Sequence, residues 1–97
     1  MIESFRNRGV EEIFDGVDTA AARRLCPRRL WGVARRKLDQ INRVRELREL
    51  AVPPGNRLEN LKGSRLGQQS IRINEQYRIC FRWENGNAYE VEIADYH

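Results

Sequence analysis

The sequence predicts an α+β domain in which N-terminal helices pack on one face of a small antiparallel sheet. Three observations carry this. Apolar residues recur at spacings of three and four from Arg28 to about Leu50. Beyond Gly67 the apolar period drops to two. A chain of 97 residues can also build one two-layer core and little more, so a single domain is expected over residues 1–97. Hydrophobic residues at 40% and charged residues at 33% make a globular balance, richer in Ile, Leu, Phe and Trp than a disordered chain would be.

In chain order, Ile2, Ser4, Phe5 and Arg6 suit a short first strand. Val10 to Val17 reads as a brief helix with Ile13, Phe14 and Val17 on one stripe. Thr19 is placed to cap a helical turn through the alanines that follow. Pro27 interrupts and fits the first turn of a new helix. From Arg28 to about Leu50, residues Leu30, Val33, Ala34, Leu38, Ile41, Val44 and Leu47 define one buried face. Gly32 weakens that helix, and Asn42 is a candidate bend. The run Val52-Pro53-Pro54-Gly55-Asn56 stops it, and Lys62-Gly63-Ser64-Arg65-Leu66-Gly67 is a second loop rich in turn residues and positive charge.

Three strands of an antiparallel meander follow. Ile71 and Ile73 alternate with polar neighbours, as do Tyr77, Ile79, Phe81 and Trp83, and then Tyr89, Val91 and Ile93. The Asn85-Gly86 pair alone suggests a two-residue turn. That register sets Phe81 against Glu90. A three-residue loop instead pairs Trp83 with Tyr89, Phe81 with Val91 and Ile79 with Ile93, so cross-strand matching favours the longer loop. It also places Tyr77 opposite Asp95 and returns Asp95-Tyr96-His97 beside Arg78.

Charge is unevenly spread. Residues 1–19 hold two Lys/Arg against five Asp/Glu, residues 20–48 ten against two, and residues 84–97 none against four. The basic middle either faces phosphate or an acidic protein, or is a solvated helix face. Cys26 and Cys80 are far apart and read as free, buried residues, and two Cys with one His offer no zinc spacing, so no metal site and no cofactor are expected. No apolar run reaches the ~20 residues of a membrane span, and the first residues lack an apolar signal region, which points to a cytoplasmic protein with no membrane partner.

The second half carries a resemblance. Pro53-Pro54-Gly55-Asn56-Arg57-Leu58-Glu59, Leu61-Lys62-Gly63, Gly67-Gln68, Ser70-Ile71-Arg72-Ile73-Asn74, Tyr77-Arg78-Ile79-Cys80-Phe81-Arg82-Trp83 and Val91-Glu92-Ile93-Ala94-Asp95-Tyr96-His97 together resemble HigB-type toxins of the RelE/ParE superfamily. They cover about half the chain, and the Asp-Tyr-His after a strand is the most specific part. The resemblance implies a RelE-like, microbial-ribonuclease-type fold and a toxin that cleaves mRNA in the A site of the small ribosomal subunit without metal. It also implies a HigA-type helix-turn-helix antitoxin, with operator DNA bound only through the toxin–antitoxin complex. Gln69 departs from an aromatic carried by many relatives, and Tyr77 stands where a Trp is frequent.

RNA cleavage of this kind needs a proton taken from the 2′-OH, cations for the developing phosphorane charge, and a proton for the 5′-oxygen. His97 has the one side chain whose ordinary pKa lies near neutrality, though a histidine at a chain end is otherwise a solvated residue. Arg78 either grips the scissile phosphate with its guanidinium fork or merely pairs with Glu92 or Glu90. Lys62 and Arg65 are candidate phosphate contacts, or plain loop solubility, and Arg72 is a helper. Tyr96 would hydrogen-bond the phosphate or stack on a base, and Asp95 would orient a neighbour. Arg35 and Arg36 on the long helix are candidates for ribosomal RNA contact. Two rivals stand beside this. One is a ParE-like inhibitor of DNA gyrase, which the Asp-Tyr-His and the Lys62/Arg65 loop argue against. The other is a non-catalytic nucleic-acid- or antitoxin-binding module, which leaves the histidine's return to the arginine strand unexplained.

Overall fold

A computed structural model describes residues 1–96 and has the α+β architecture expected. Helix α1 spans Arg8–Asp15. Asn7 caps it by accepting from the Val10 amide at 3.1 Å, and Gly16, left-handed at φ 77°, closes it. Val17 thus lies past the helix, 48% exposed, while Ile13 is buried and Phe14 half-buried. The expected stripe ends one turn early because Gly16 takes the backbone out of the helix. Thr19 does cap α2, Ala20–Leu25, accepting from the Ala22 amide at 3.0 Å.

After a tight 3₁₀ turn at Arg28–Leu30 comes α3, Trp31–Arg43. It buries Trp31, Ala34, Leu38 and Ile41. The expected continuation to Leu50 does not form. Val44 becomes extended, and a separate 3₁₀ turn covers Leu47–Ala51. The cause is Glu49, whose carboxylate accepts from the amides of Arg45 at 2.9 Å and Glu46 at 2.8 Å and so replaces the helical partners. Leu50 still reaches the core.

Four strands form one antiparallel sheet in the order β1-β2-β3-β4: Glu59–Asn60, Gln68–Arg72, Tyr77–Glu84 and Asn87–Asp95. The two-residue β1 adds to the three strands expected. Residues 2–6 are not a strand proper. They make two parallel bridges to β4, Ile2 with Ala88 and Phe5 with Val91. Asn42, instead of marking a bend, accepts from the Ile2 amide at 2.9 Å and ties this segment to α3. The helices cover the sheet face formed by Ile71, Ile79, Phe81, Val91 and Ile93, which with Val10, Ile13, Leu38 and Ile41 make the core.

The last hairpin corrects the expected register in half its length. Near the turn, Glu84 pairs with Asn87, Trp83 with Ala88 and Arg82 with Tyr89, which is the two-residue Asn85-Gly86 turn with positive φ at both residues. A bulge then intervenes, with Glu90 left-handed at φ 54°. Beyond it Cys80 faces Glu92, Ile79 faces Ile93 and Tyr77 faces Asp95, as expected. One extra residue on β4 thus satisfies both the turn chemistry and the apolar matching. Ser4 stabilises the bulge by accepting from the Glu90 amide at 2.8 Å.

Candidate functional site

The register sets two rows of side chains on the sheet face away from the helices. One row is Glu59, Ser70, Cys80 and Glu92; the next is Arg72, Arg78 and Ala94. Arg78 is the centre. Only 9% exposed, it sends Nε to Ser70 Oγ at 2.8 Å and Nη2 to the Arg57 carbonyl at 2.6 Å, with the Ser70 carbonyl at 3.4 Å. Among the described residues, the carboxylate within ion-pair range is Glu59, at 3.9 Å. The surface pair with Glu92 or Glu90 considered from sequence is absent among the described residues, because Glu92 is held by Arg65 and Arg6, and Glu90 by Arg82. A buried guanidinium met mainly by neutral acceptors keeps its full charge to offer.

Arg65, at the end of the 3₁₀ turn Gly63–Arg65, reaches over the sheet to Glu92 Oε1 at 3.2 Å and to Gln68 Oε1 at 3.0 Å. The bond to Glu92 raises its pKa. Glu92 is buried; its Oε2 makes no hydrogen bond among the described residues, and Arg6 Nη1 at 3.4 Å is a charge contact only. Beneath lies Cys80, whose thiol is 3.7 Å from the Tyr96 hydroxyl. Burial raises the pKa of both groups, so each keeps its proton at neutral pH and either can donate to the other. Tyr96 is 45% exposed, open to a ligand on its outer side.

Arg72 stands opposite Arg78 across β2 and β3. With Arg57, Glu59, Asn74 and Glu75 they line an open cavity of about 400 Å³. Lys62 is exposed at the start of the Gly63 turn. Strand alternation puts Asp95 in the row of Tyr77, not that of Arg78, where it accepts from Gln76 Nε2 at 3.1 Å. His97 lies outside the described residues. Arg35 and Arg36 are exposed on α3 and line a different depression, of about 370 Å³, with Phe14, Gly32 and Asp39; it shares no residue with the Arg78 cavity. The fold therefore gathers Arg65, Arg72, Arg78 and Tyr96 and leaves Arg35 and Arg36 apart. Sequence reading placed Glu92 here but gave it the wrong partner, and it missed Ser70, Arg57 and Arg6 as parts of this face. Ser70 was legible in the strand alternation; Arg6 was not, since only the edge bridges carry it there. No group of three or more His, Cys, Asp or Glu among the described residues is placed to hold a metal ion, and no helix is long and apolar enough to cross a membrane.

Such a face, with cations fixed beside a phenol, suits a polyanion that must be gripped at one phosphate. Residues 3–97 match the model of a family of RelE-like toxins of the type II toxin–antitoxin system HigB. The chain is 34% identical over 93 residues to a protein named Toxin HigB-1 from Vibrio cholerae serotype O1, covering 96% of this chain and 95% of that one. It is 31% identical over 103 residues to one named Endoribonuclease HigB from Proteus vulgaris, covering all of both. A third relative, an uncharacterized protein of Haemophilus influenzae, is 35% identical over 91 residues, 94% of this chain and 87% of that one.

Proposed function

This chain belongs to the HigB-like family of RelE-like type II toxins, whose partner is an antitoxin, and on that premise we propose that it is an endoribonuclease cutting mRNA in the ribosomal A site. The observation that carries this reading is the pinned, buried Arg78 guanidinium opening on a cationic cavity. Arg78 stabilises charge developing on the scissile phosphate, with Arg72 beside it. Tyr96 donates to a phosphate oxygen or stacks on a base, and Arg65 and Lys62 hold the flanking backbone. His97 protonates the departing 5′-oxygen while the attacking 2′-OH gives its proton to water, and Asp95 orients a neighbouring group. These side chains supply the chemistry without a metal. Arg35 and Arg36 contact ribosomal RNA. The antitoxin is of the HigA helix-turn-helix type, operator DNA is bound through the complex with it, and the toxin works in the cytoplasm.

The test is cleavage of a defined mRNA on programmed ribosomes by the purified chain. Arg78→Ala is expected to slow cutting about 10²–10³-fold, the usual effect of removing one charge-stabilising donor. His97→Ala should cost about 10²–10⁴-fold, the range for a general acid. Because both serve one step, the double variant should lose less than the product of the two. Intact mRNA together with inhibited gyrase supercoiling would overturn the reading in favour of a ParE-like toxin.

A further inference from the structure

Arg57, at the end of the sequence run Pro53-Pro54-Gly55-Asn56-Arg57, enters the site so far through its carbonyl, and its side chain has no assigned role, yet the geometry of the run is highly determined. Asn56 is 1% exposed. Its Nδ2 donates to Gln40 Oε1 and to the Leu50 carbonyl, each at 3.0 Å, and its Oδ1 accepts from Lys37 Nζ. The residue before Arg57 is thereby bolted to α3 and to the turn after it. Arg57 itself is left-handed, at φ 47° and ψ 58°, with its amide donating to the Pro54 carbonyl at 3.0 Å. An L-residue with a long side chain is strained there, and glycine would not be. Packing offers no reason for the arginine, since its side chain is exposed. Two features at the site do. The Arg57 carbonyl accepts the 2.6 Å bond from Arg78 Nη2, and Arg57 is one of the residues lining the same cavity as Arg72 and Arg78.

We propose that Arg57 is a further working residue of the cleavage site, whose carbonyl orients Arg78 and whose guanidinium adds a third cation for the RNA backbone. The left-handed turn is what lets one residue do both: it aims the carbonyl inward at Arg78 while the side chain stays exposed, where RNA can meet it. Three guanidiniums against Glu59 and Glu75 leave the cavity net positive, as an RNA phosphate requires. Strain held at such a point by a buried asparagine is typical of functional loops.

The proposal rests on the endoribonuclease reading, so its test has readouts besides cleavage. Arg57→Gly keeps the left-handed backbone and its carbonyl but deletes the charge. It should weaken binding of a short single-stranded RNA, lower the salt slope by roughly one unit, and raise KM while leaving kcat within about twofold. Arg57→Val, whose branched side chain resists that backbone, should in addition lower kcat by about tenfold or more. It should also speed proton exchange at the Arg78 Nη2–H, the group that donates to the Arg57 carbonyl, followed by NMR; Arg57→Gly should not. If Arg57→Val fails to fold, Arg57→Ala takes its place. Equal kcat and equal Arg78 exchange in Arg57→Gly and Arg57→Val would overturn the orienting role, and an unchanged salt slope in Arg57→Gly would overturn the phosphate contact. Should the unaltered chain cut no RNA, the endoribonuclease reading fails, while the exchange and RNA-binding measurements still decide the role of Arg57.

Discussion

Replacing Ser70 by alanine probes the feature on which the site depends, the fixed orientation of a buried guanidinium. Ser70 is fully buried and its Oγ accepts from Arg78 Nε at 2.8 Å. A hydrogen bond to a charged group contributes about 1.5–3 kcal/mol. Arg78 keeps the Arg57 carbonyl at 2.6 Å and the Ser70 carbonyl at 3.4 Å in the variant, so the lower half of that range applies. We therefore expect Ser70→Ala to destabilise the fold by about 1.5–2 kcal/mol, a fall in Tm of about 6–16 °C for a domain of this size. Cleavage should slow about tenfold or more, with RNA binding nearly unchanged, because the charge remains while its aim is lost. The assay is a double-mutant cycle with Arg78→Met, read by thermal melting and by single-turnover cleavage. If Ser70 acts through Arg78, Ser70→Ala costs little further activity in the Arg78→Met background. An equal loss in both backgrounds, or a Tm within about 2 °C of the parent, would refute the argument that this bond sets the guanidinium.

Other consequences are open to measurement. Charge reversal of Arg35 and Arg36 should weaken ribosome association and lower its salt slope by roughly one unit for each phosphate no longer neutralised, measured by sedimentation at several salt concentrations; an unchanged slope makes that face solvated surface or antitoxin interface. Burial pushes the Cys26 thiol up to about 11 from 9.0. The native state thus holds its proton more tightly than the unfolded chain, so this contribution is complete below about pH 9 and is lost as pH rises toward 11. Denaturant melts of Cys26→Ala should show a shallower alkaline decline than the parent. Glu90→Gly should be neutral or stabilising by up to about 1 kcal/mol, since glycine relieves the left-handed bulge and the exposed pair with Arg82 contributes little; a clear loss in urea melts would mean that the pair matters more than the backbone.

Periodicity was enough to read the α+β class, the helical face of α3 and the strands, because burial on one side writes spacings of three and four, or of two, directly into the chain. Local chemistry likewise marked the Thr19 cap and the Asn85-Gly86 turn. The Arg78 strand, the Arg65 loop and Tyr96 were legible as candidates because the strand pattern and the family resemblance named them. Four matters waited for the folded chain. Glu49 ended α3 by taking its backbone amides, a competition that spacing does not show. The bulge at Glu90 settled a conflict between turn type and apolar matching that neither register could resolve alone. Arg6 came to Glu92 from the far end of the sequence. Arg78 proved to be a buried donor locked by Ser70 and the Arg57 carbonyl. Each turns on contacts between residues distant in the chain or on a backbone hydrogen bond chosen among rivals, and such choices are made by packing and by the need to satisfy buried polar groups, which no local pattern records.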